Sequence, residues 1–320
     1  MTEQLPELRD TWSEAVPPRR TNGDAIRAGL GFILSRQQGR CWQDLNLPSG
    51  EGDVRLTACV LARLADLPLH YITPRLQQQM DQALDWLLQA RFPNGGWGSG
   101  FGEDDAETTA WAVLALRGHR RAPAPSGALE LLRCCRRLDG GFAARPADSL
   151  DADSCLKSTP EITALALRAL GEADPAGQGF LSSYLALASS RPAISLLVCS
   201  EILNWGRGLA APSLLDHVAQ CAALAVPTGA TEQALLLHCL LRLRLKKAWP
   251  LAAELRARQA ENGSWPMRER PRSFSLPQLE LEDRRVLATA TAVSALAMAE
   301  FQPGLYFGSD LPVPQRLPAF

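Results

Sequence analysis

A short turn pattern recurs along the chain in one register, and this recurrence limits the possible folds more than any other feature of the sequence. Arg91-x-x-x-Gly95-x-Trp97 matches Arg136-x-x-x-Gly140-x-Phe142 and Gln259-x-x-x-Gly263-x-Trp265. A looser copy, Arg36-x-x-x-Arg40-x-Trp42, carries Arg in the Gly slot. Each turn leads into an apolar helix with a shared opening: DVRLTACVLARL from Asp53, DAETTAWAVLAL from Asp105, TPEITALALRAL from Thr159 and, in its apolar part, LATATAVSALAM from Leu287. PAISLLVCSEIL from Pro192 and GATEQALLLHCLL from Gly229 are helices of the same kind without the turn signature.

Between these apolar helices lie amphipathic segments, near 24–37, 78–91, 127–137, 176–190, 213–226 and 249–260. Their apolar residues recur at three- and four-residue spacing, as in Met80, Leu84, Leu87 and Leu88. An amphipathic helix needs one buried face, whereas an apolar helix needs burial all round. Six alternating hairpins satisfy both when closed into a ring with the apolar helices inside. The expected fold is all-α, an (α/α)6 toroid over residues 24–301, with a polar tail over 1–23 and a Pro-rich tail over 302–320. Inner helices are expected near 54–66, 106–117, 160–170, 192–204, 230–244 and 285–299.

Composition agrees. Apolar residues make up 46% of the 320, enough for one large core. A net charge of −1 argues against a nucleic-acid footprint. The eight cysteines are scattered, mostly inside helices, and read as small buried hydrophobes rather than a disulfide framework. There is no apolar N-terminal segment and no apolar run long enough to span a bilayer. The expectation is a soluble cytoplasmic protein, with room for peripheral membrane contact. The four histidines, His70, His119, His217 and His238, form no ligand-spaced set, so neither a metal nor a cofactor is expected.

The candidate site follows from one slot, two residues before each inner-helix Thr or its equivalent. It holds Arg55, Glu107 and Glu161 in the first three repeats, then Ala193, Thr231 and Thr289. Positions three, four and seven further along share that helix face, which adds Cys59, Trp111, Leu114, Leu165, Arg168, Ser200 and His238. The resulting lining is charged at one mouth and mostly apolar deeper in, as in a small-molecule cavity. Asp104 and Asp105 lie beside Glu107. Acids at helix starts also serve as caps: Asp53 and Asp105 suit an N-cap, and Ser158-x-x-Glu161 suits a capping box. Trp111 and Trp205 are placed on inner helices, where a π face could meet a cation. Arg268 and Arg270, with Arg272, stand at alternate positions in the long last turn and could bind an anionic group.

The Gln259, Gly263 and Trp265 spelling resembles the repeat of squalene–hopene cyclases. The order of Gly-Gly-Trp, acids, Thr-Ala and a Leu-rich helix is similar to protein prenyltransferase β subunits. The resemblance runs from about Ile26 to Ala299. It implies a toroid whose cavity takes an isoprenoid or similarly apolar substrate. Class II terpene cyclases protonate an alkene or epoxide from a D-x-D-D-T-A motif opening an inner helix. Aligned on Thr-Ala, this chain reads Asp105-x-Glu107-Thr108-Thr109-Ala110, with Glu in place of the proton donor and Thr in place of the last Asp. The resemblance therefore implies Glu107 as the acid–base group, with Asp105 assisting and Glu161 on the neighbouring helix. Zinc ligands like those of the prenyltransferases are missing. The functional expectation is acid-initiated cyclisation or isomerisation without metal. A non-catalytic lipid- or isoprenoid-binding protein, or different chemistry in secondary metabolism on the same ring, stands as the alternative. Family cyclases pair two helical domains and this chain has one, which leaves room for a homodimer or a second helical partner.

Overall fold

In each turn the aromatic residue ties an outer helix to the next inner helix. The backbone N–H of Trp97 donates to Thr109 Oγ1 at 3.0 Å, while its indole N–H donates to the Leu87 carbonyl at 2.6 Å. Trp265 repeats the arrangement with Thr289 at 3.1 Å and Leu255 at 2.7 Å. Trp42 does so with Thr57 at 3.0 Å and Ile33 at 2.9 Å. Phe142 has no ring N–H and keeps only the backbone bond, to Thr163 at 2.9 Å. Each Trp is thus buried with its one polar ring atom satisfied, as a large ring inside a core requires.

The computed structural model describes residues 20–43, 53–99, 103–121, 123, 125–147, 157–187, 192–205, 208–266 and 285–301. Among them are twelve α-helices. The outer ones are α1 (Asn22–Ser35), α3 (Pro74–Gln89), α5 (Ser126–Cys134), α7 (Pro175–Leu187), α9 (Pro212–Leu224) and α11 (Ala248–Ala257). The inner ones are α2 (Val54–Leu64), α4 (Ala106–Gly118), α6 (Pro160–Leu170), α8 (Pro192–Ile202), α10 (Ala230–Arg242) and α12 (Arg285–Phe301). Among the described residues the only strand pair is a hairpin, β1 (Gln37–Gln38) with β2 (Cys41–Trp42), in the first turn. There the left-handed residue is Gly39, one position before the Arg40 slot expected from the register.

Each inner helix packs against its two neighbours in the order α2, α4, α6, α8, α10, α12 and back to α2. The ring is therefore closed, and α2 faces α8 across it. Closure is visible in individual bonds. Gln259 Nε2 donates to the Ala25 carbonyl at 2.8 Å and the Gly263 carbonyl at 2.9 Å, and Arg256 donates to Asn22. Gly263 sits at φ +85°, where a Cβ would come within 2.3 Å of the Ala28 carbonyl oxygen, so the last turn abuts the first helix with no room for a side chain.

The helix starts are capped by side chains. Asp53 caps α2, Thr73 caps α3 and Asp105 caps α4, while α1 opens on a capping box of Thr21 and Asp24. The capping box expected at Ser158 is not formed. The cap of α6 is Thr159, because Ser158 turns its hydroxyl to Asp139 Oδ1 at 2.8 Å. No described helix is long and apolar enough to cross a membrane.

Candidate active site

Because every turn enters its inner helix from the same end, the inner helices run in parallel and their N-termini share one mouth. Arg55, Glu107 and Glu161 all occupy the second position of their helices, α2, α4 and α6, which are consecutive in the ring. The slot in the last repeat needs correction. Trp265 bonds Thr289, so Thr289 is the counterpart of Thr57, Thr109 and Thr163, and the slot two residues earlier is Leu287. The sequence offered two threonines, Thr289 and Thr291, and only the turn contact distinguishes them. The mouth is thus charged at α2, α4 and α6, and apolar at α12.

Arg55 Nη1 lies 3.3 Å from Glu107 Oε1, and the Glu107 side chain is 36% exposed. Burial acts to lower the Arg55 pKa, but the nearby Glu107 charge helps to raise it overall. Asp105 Oδ1 accepts the Thr108 N–H at 2.7 Å; its Oδ2 accepts the Thr108 hydroxyl at 2.9 Å and the Ser99 N–H at 3.2 Å. Burial pushes the Asp105 carboxyl up; the Thr108 bonds pull it back, the Glu107 charge adds to the rise, and the net is above the ordinary value. Asp104 accepts from Asn94 Nδ2 at 2.9 Å, so this acid is held within its own turn. Glu161 is half-buried and makes no ion pair among the described residues.

Below the mouth, Cys59, Trp111, Leu114 and Leu165 are buried. Burial pushes the Cys59 thiol well up, so it stays neutral. Trp111 does belong to the interior, because the Arg63 guanidinium lies over its ring at 5.1 Å from the centroid. Trp205 is a correction. It lies beyond the end of α8, and its indole N–H donates to the Ala164 carbonyl of α6 at 3.1 Å, as a packing bond between helices. Arg268 and Arg270 lie outside the described residues.

The opposite end of the ring holds a cluster that the sequence reading only half found. Arg63 on α2 reaches across to Glu201 on α8, with Nη2 to Oε1 at 2.7 Å. Arg168 on α6 takes the other carboxylate oxygen at 2.5 Å. Glu201 has no solvent exposure. Burial alone would raise its pKa, but the two guanidiniums outweigh burial and hold it below the ordinary carboxylate value. Ser200 Oγ and His238 Nδ1 are 3.1 Å apart across α8 and α10, and one turn on Arg242 donates to Asn204 at 3.0 Å. Burial, followed by the charges of Arg242, Arg63 and Arg168, keeps His238 neutral with a pKa far below the usual histidine value.

Arg168, Ser200 and His238 follow from the slot plus seven, but Arg63 and Glu201 do not. They stand eight residues past Arg55 and Ala193, and the inward stripe of a helix includes that eighth position. The signal was present: Glu201 is the lone charge in PAISLLVCSEIL. Among the described residues no three His, Cys, Asp or Glu gather into a metal-holding group.

No protein-family model and no curated protein sequence matches the chain. Solved structures do match its fold. A protein from Actinoplanes is 19% identical, with a TM-score of 0.67 over 87% of this chain and 99% of that one. The type II terpene cyclase MstE from Scytonema is 22% identical, with a TM-score of 0.64 over 87% and 97%. A variant of MstE is solved with geranylgeranyl dihydroxybenzoate as its substrate. The ent-copalyl diphosphate synthase from Streptomyces platensis is 18% identical, with a TM-score of 0.55 over 77% of this chain and 50% of that one. The chain therefore has a terpene cyclase-like helical toroid fold. Likeness at this level concerns the fold, and one fold hosts several chemistries.

Proposed function

We propose that the chain is an enzyme of the terpene cyclase kind, which starts the cyclisation or isomerisation of an isoprenoid or similarly apolar chain by protonating it at the α4 mouth. One observation carries the reading: Asp105 and Glu107 form a carboxyl pair at the start of α4, about 6 Å along the axis from the buried Trp111. Burial raises the Asp105 carboxyl above its ordinary value, and the Glu107 charge adds to the rise. In the proposed reaction this pair carries the proton that is transferred, with Arg55 beside it as counter-charge. Filling the mouth with an apolar chain would displace water from the pair and place its proton where the substrate alkene can take it. The alkene carbon gains the proton as the carboxyl O–H breaks. The resulting carbocation closes onto further double bonds, and loss of a proton to Glu161 or to the emptied pair ends the reaction. Substrate and product then have the same mass.

Support comes from the fold shared with MstE and the copalyl diphosphate synthase, and from the acid pair at the slot where terpene cyclases carry their acid. The test is incubation of the purified protein with linear isoprenoids bearing geranylgeranyl chains, followed by mass spectrometry for a cyclised isomer. Glu107→Gln and Asp105→Asn are expected to lower turnover by two orders of magnitude or more, on the order of what proton transfer contributes. The melting temperature of Glu107→Gln should change little, while Asp105→Asn keeps the cap through its amide oxygen but loses the acceptor for the Ser99 N–H and should melt somewhat lower. Normal turnover in both variants would refute the assignment.

A second reading, a non-catalytic carrier of an apolar ligand, is favoured by the Arg55–Glu107 contact, which gives the glutamate a structural partner at the mouth. Ligand retained without conversion in wild type and variants alike would select it.

A further inference from the structure

The Arg63–Glu201–Arg168 cluster lies at the far end of the ring from the acid pair, and the proposed reaction does not use it. Its charges do not balance. Two guanidiniums, Arg63 and Arg168, share one buried carboxylate, Glu201, and a third, Arg242, held by Asn204, stands close enough for its charge to act on His238 and to be acted on by Arg168. His238 is neutral and contributes no charge. Among the described residues the acid whose charge reaches Arg242 is Asp66, exposed on the rim. Uncompensated buried charge is strongly unfavourable. Glu201 uses one Nη of Arg63 and one of Arg168, and among the described residues the buried Nε–H of Arg63 and the buried Nε–H of Arg242 have no acceptor. These are donors without acceptors, on cations without enough counter-charge. Arg168 and Arg242 remain partly open to solvent, so the cluster can be reached.

We propose that this cluster is an anion-binding site, which takes a phosphate or carboxylate group between Arg63, Arg168 and Arg242 at the C-terminal end of the inner helices. An acceptor-only group with two or more oxygens matches the geometry, because guanidiniums pair with carboxylates and phosphates through parallel N–H bonds. Glu201 and Trp111 act as positioning residues. Glu201 fixes two guanidiniums by one oxygen each, and the Trp111 ring supports the flat face of Arg63. Ser200 and Asn204 brace His238 and Arg242 on the α8–α10 seam. The site stands whether or not the protein protonates a substrate, because it lies at the other mouth.

Titration calorimetry at low salt tests this with two probes, inorganic pyrophosphate and decyl phosphate, and with decanol as the uncharged comparison. Wild-type protein is expected to bind at least one of the charged probes and to bind decyl phosphate at least tenfold more tightly than decanol. Pyrophosphate binding as tightly as decyl phosphate identifies a free anion as the ligand; a clear preference for decyl phosphate identifies the headgroup of an amphiphile. Arg242→Gln is expected to weaken the charged probes at least tenfold, while Arg121→Gln, an exposed outer-layer arginine paired with Asp85, leaves them unchanged. The proposal is overturned if neither charged probe binds, if decanol binds as well as decyl phosphate, or if folded Arg242→Gln binds like wild type. Should Arg242→Gln fail to fold, the wild-type comparison of charged and uncharged probes decides alone.

Discussion

At the scale of single residues, His238 shows how burial converts a titratable side chain into a neutral hydrogen-bonding one. Burial holds its folded pKa well below the ordinary histidine value of about 6.5 that applies when the chain is unfolded. Between those two values the unfolded chain binds a proton that the folded chain refuses, so stability falls as the pH drops below about 6.5 and levels off once the folded pKa is passed. The slope contributed by this one group is at most about 1.4 kcal/mol per pH unit. His238→Gln keeps a hydrogen-bonding partner for Ser200 and removes the titration. Urea unfolding at pH 7.5 and pH 5.5 should therefore show a smaller loss of stability in the variant than in wild type. Equal losses would mean that His238 is already protonated in the folded protein.

At the scale of elements, the turns decide how repeats meet, and their glycines are not equivalent. Gly263 and Gly39 both have positive φ, +85° and +61°. A Cβ on Gly39 meets nothing within 4 Å, whereas one on Gly263 would collide with the backbone of α1. Gly39→Ala should cost only the left-handed backbone penalty, on the order of 1 kcal/mol. Gly263→Ala carries the same penalty and in addition has to push α1 away from the seam that closes the ring. A melting curve that drops clearly further for Gly263→Ala than for Gly39→Ala is the expected result; equal drops would show that the closing seam tolerates displacement. The turn signature and the spacing of helices were readable in the sequence because both are local. A Gly shortly after an outer helix, as Gly95 follows Gln89, and a Thr on the next inner helix are set by neighbouring stretches of chain. The slot of the last repeat was misread for the same reason: Thr289 and Thr291 differ only in which one meets Trp265, and that is a contact between elements.

At the scale of the whole molecule, the ring is bound across its axis as well as around its circumference. Arg63 and Glu201 are 138 positions apart and lie on opposite inner helices. Removing one partner of such a buried pair leaves the other charged and unpaired, at a cost of about 3–5 kcal/mol. The Arg55–Glu107 contact at the open mouth has the same chemistry but faces water, where exposed pairs contribute about 0–1 kcal/mol. Denaturant unfolding of Glu201→Gln and Glu107→Gln should separate them: a large loss for the first and little change for the second. Comparable losses would place the Glu107 pair in a far drier site than its exposure indicates.

Taken alone, the sequence determined the class of fold, the number and approximate bounds of the helices, the caps of α2 and α4, and the placement of Arg55, Glu107 and Glu161 at one position of three consecutive helices. All of these follow from periodicity, turn chemistry and helix-end preferences, which act over a few residues. Tertiary structure decided what the charges do. It paired Arg55 with Glu107, held Asp104 in its turn, moved Trp205 into a packing contact with α6 and gathered Arg63, Arg168, Glu201 and Arg242 at the far end of the ring. The physical reason is closure. Only when α12 returns to α2 do opposite inner helices come within reach of an arginine, and only burial inside the closed ring makes the imbalance of charge there consequential.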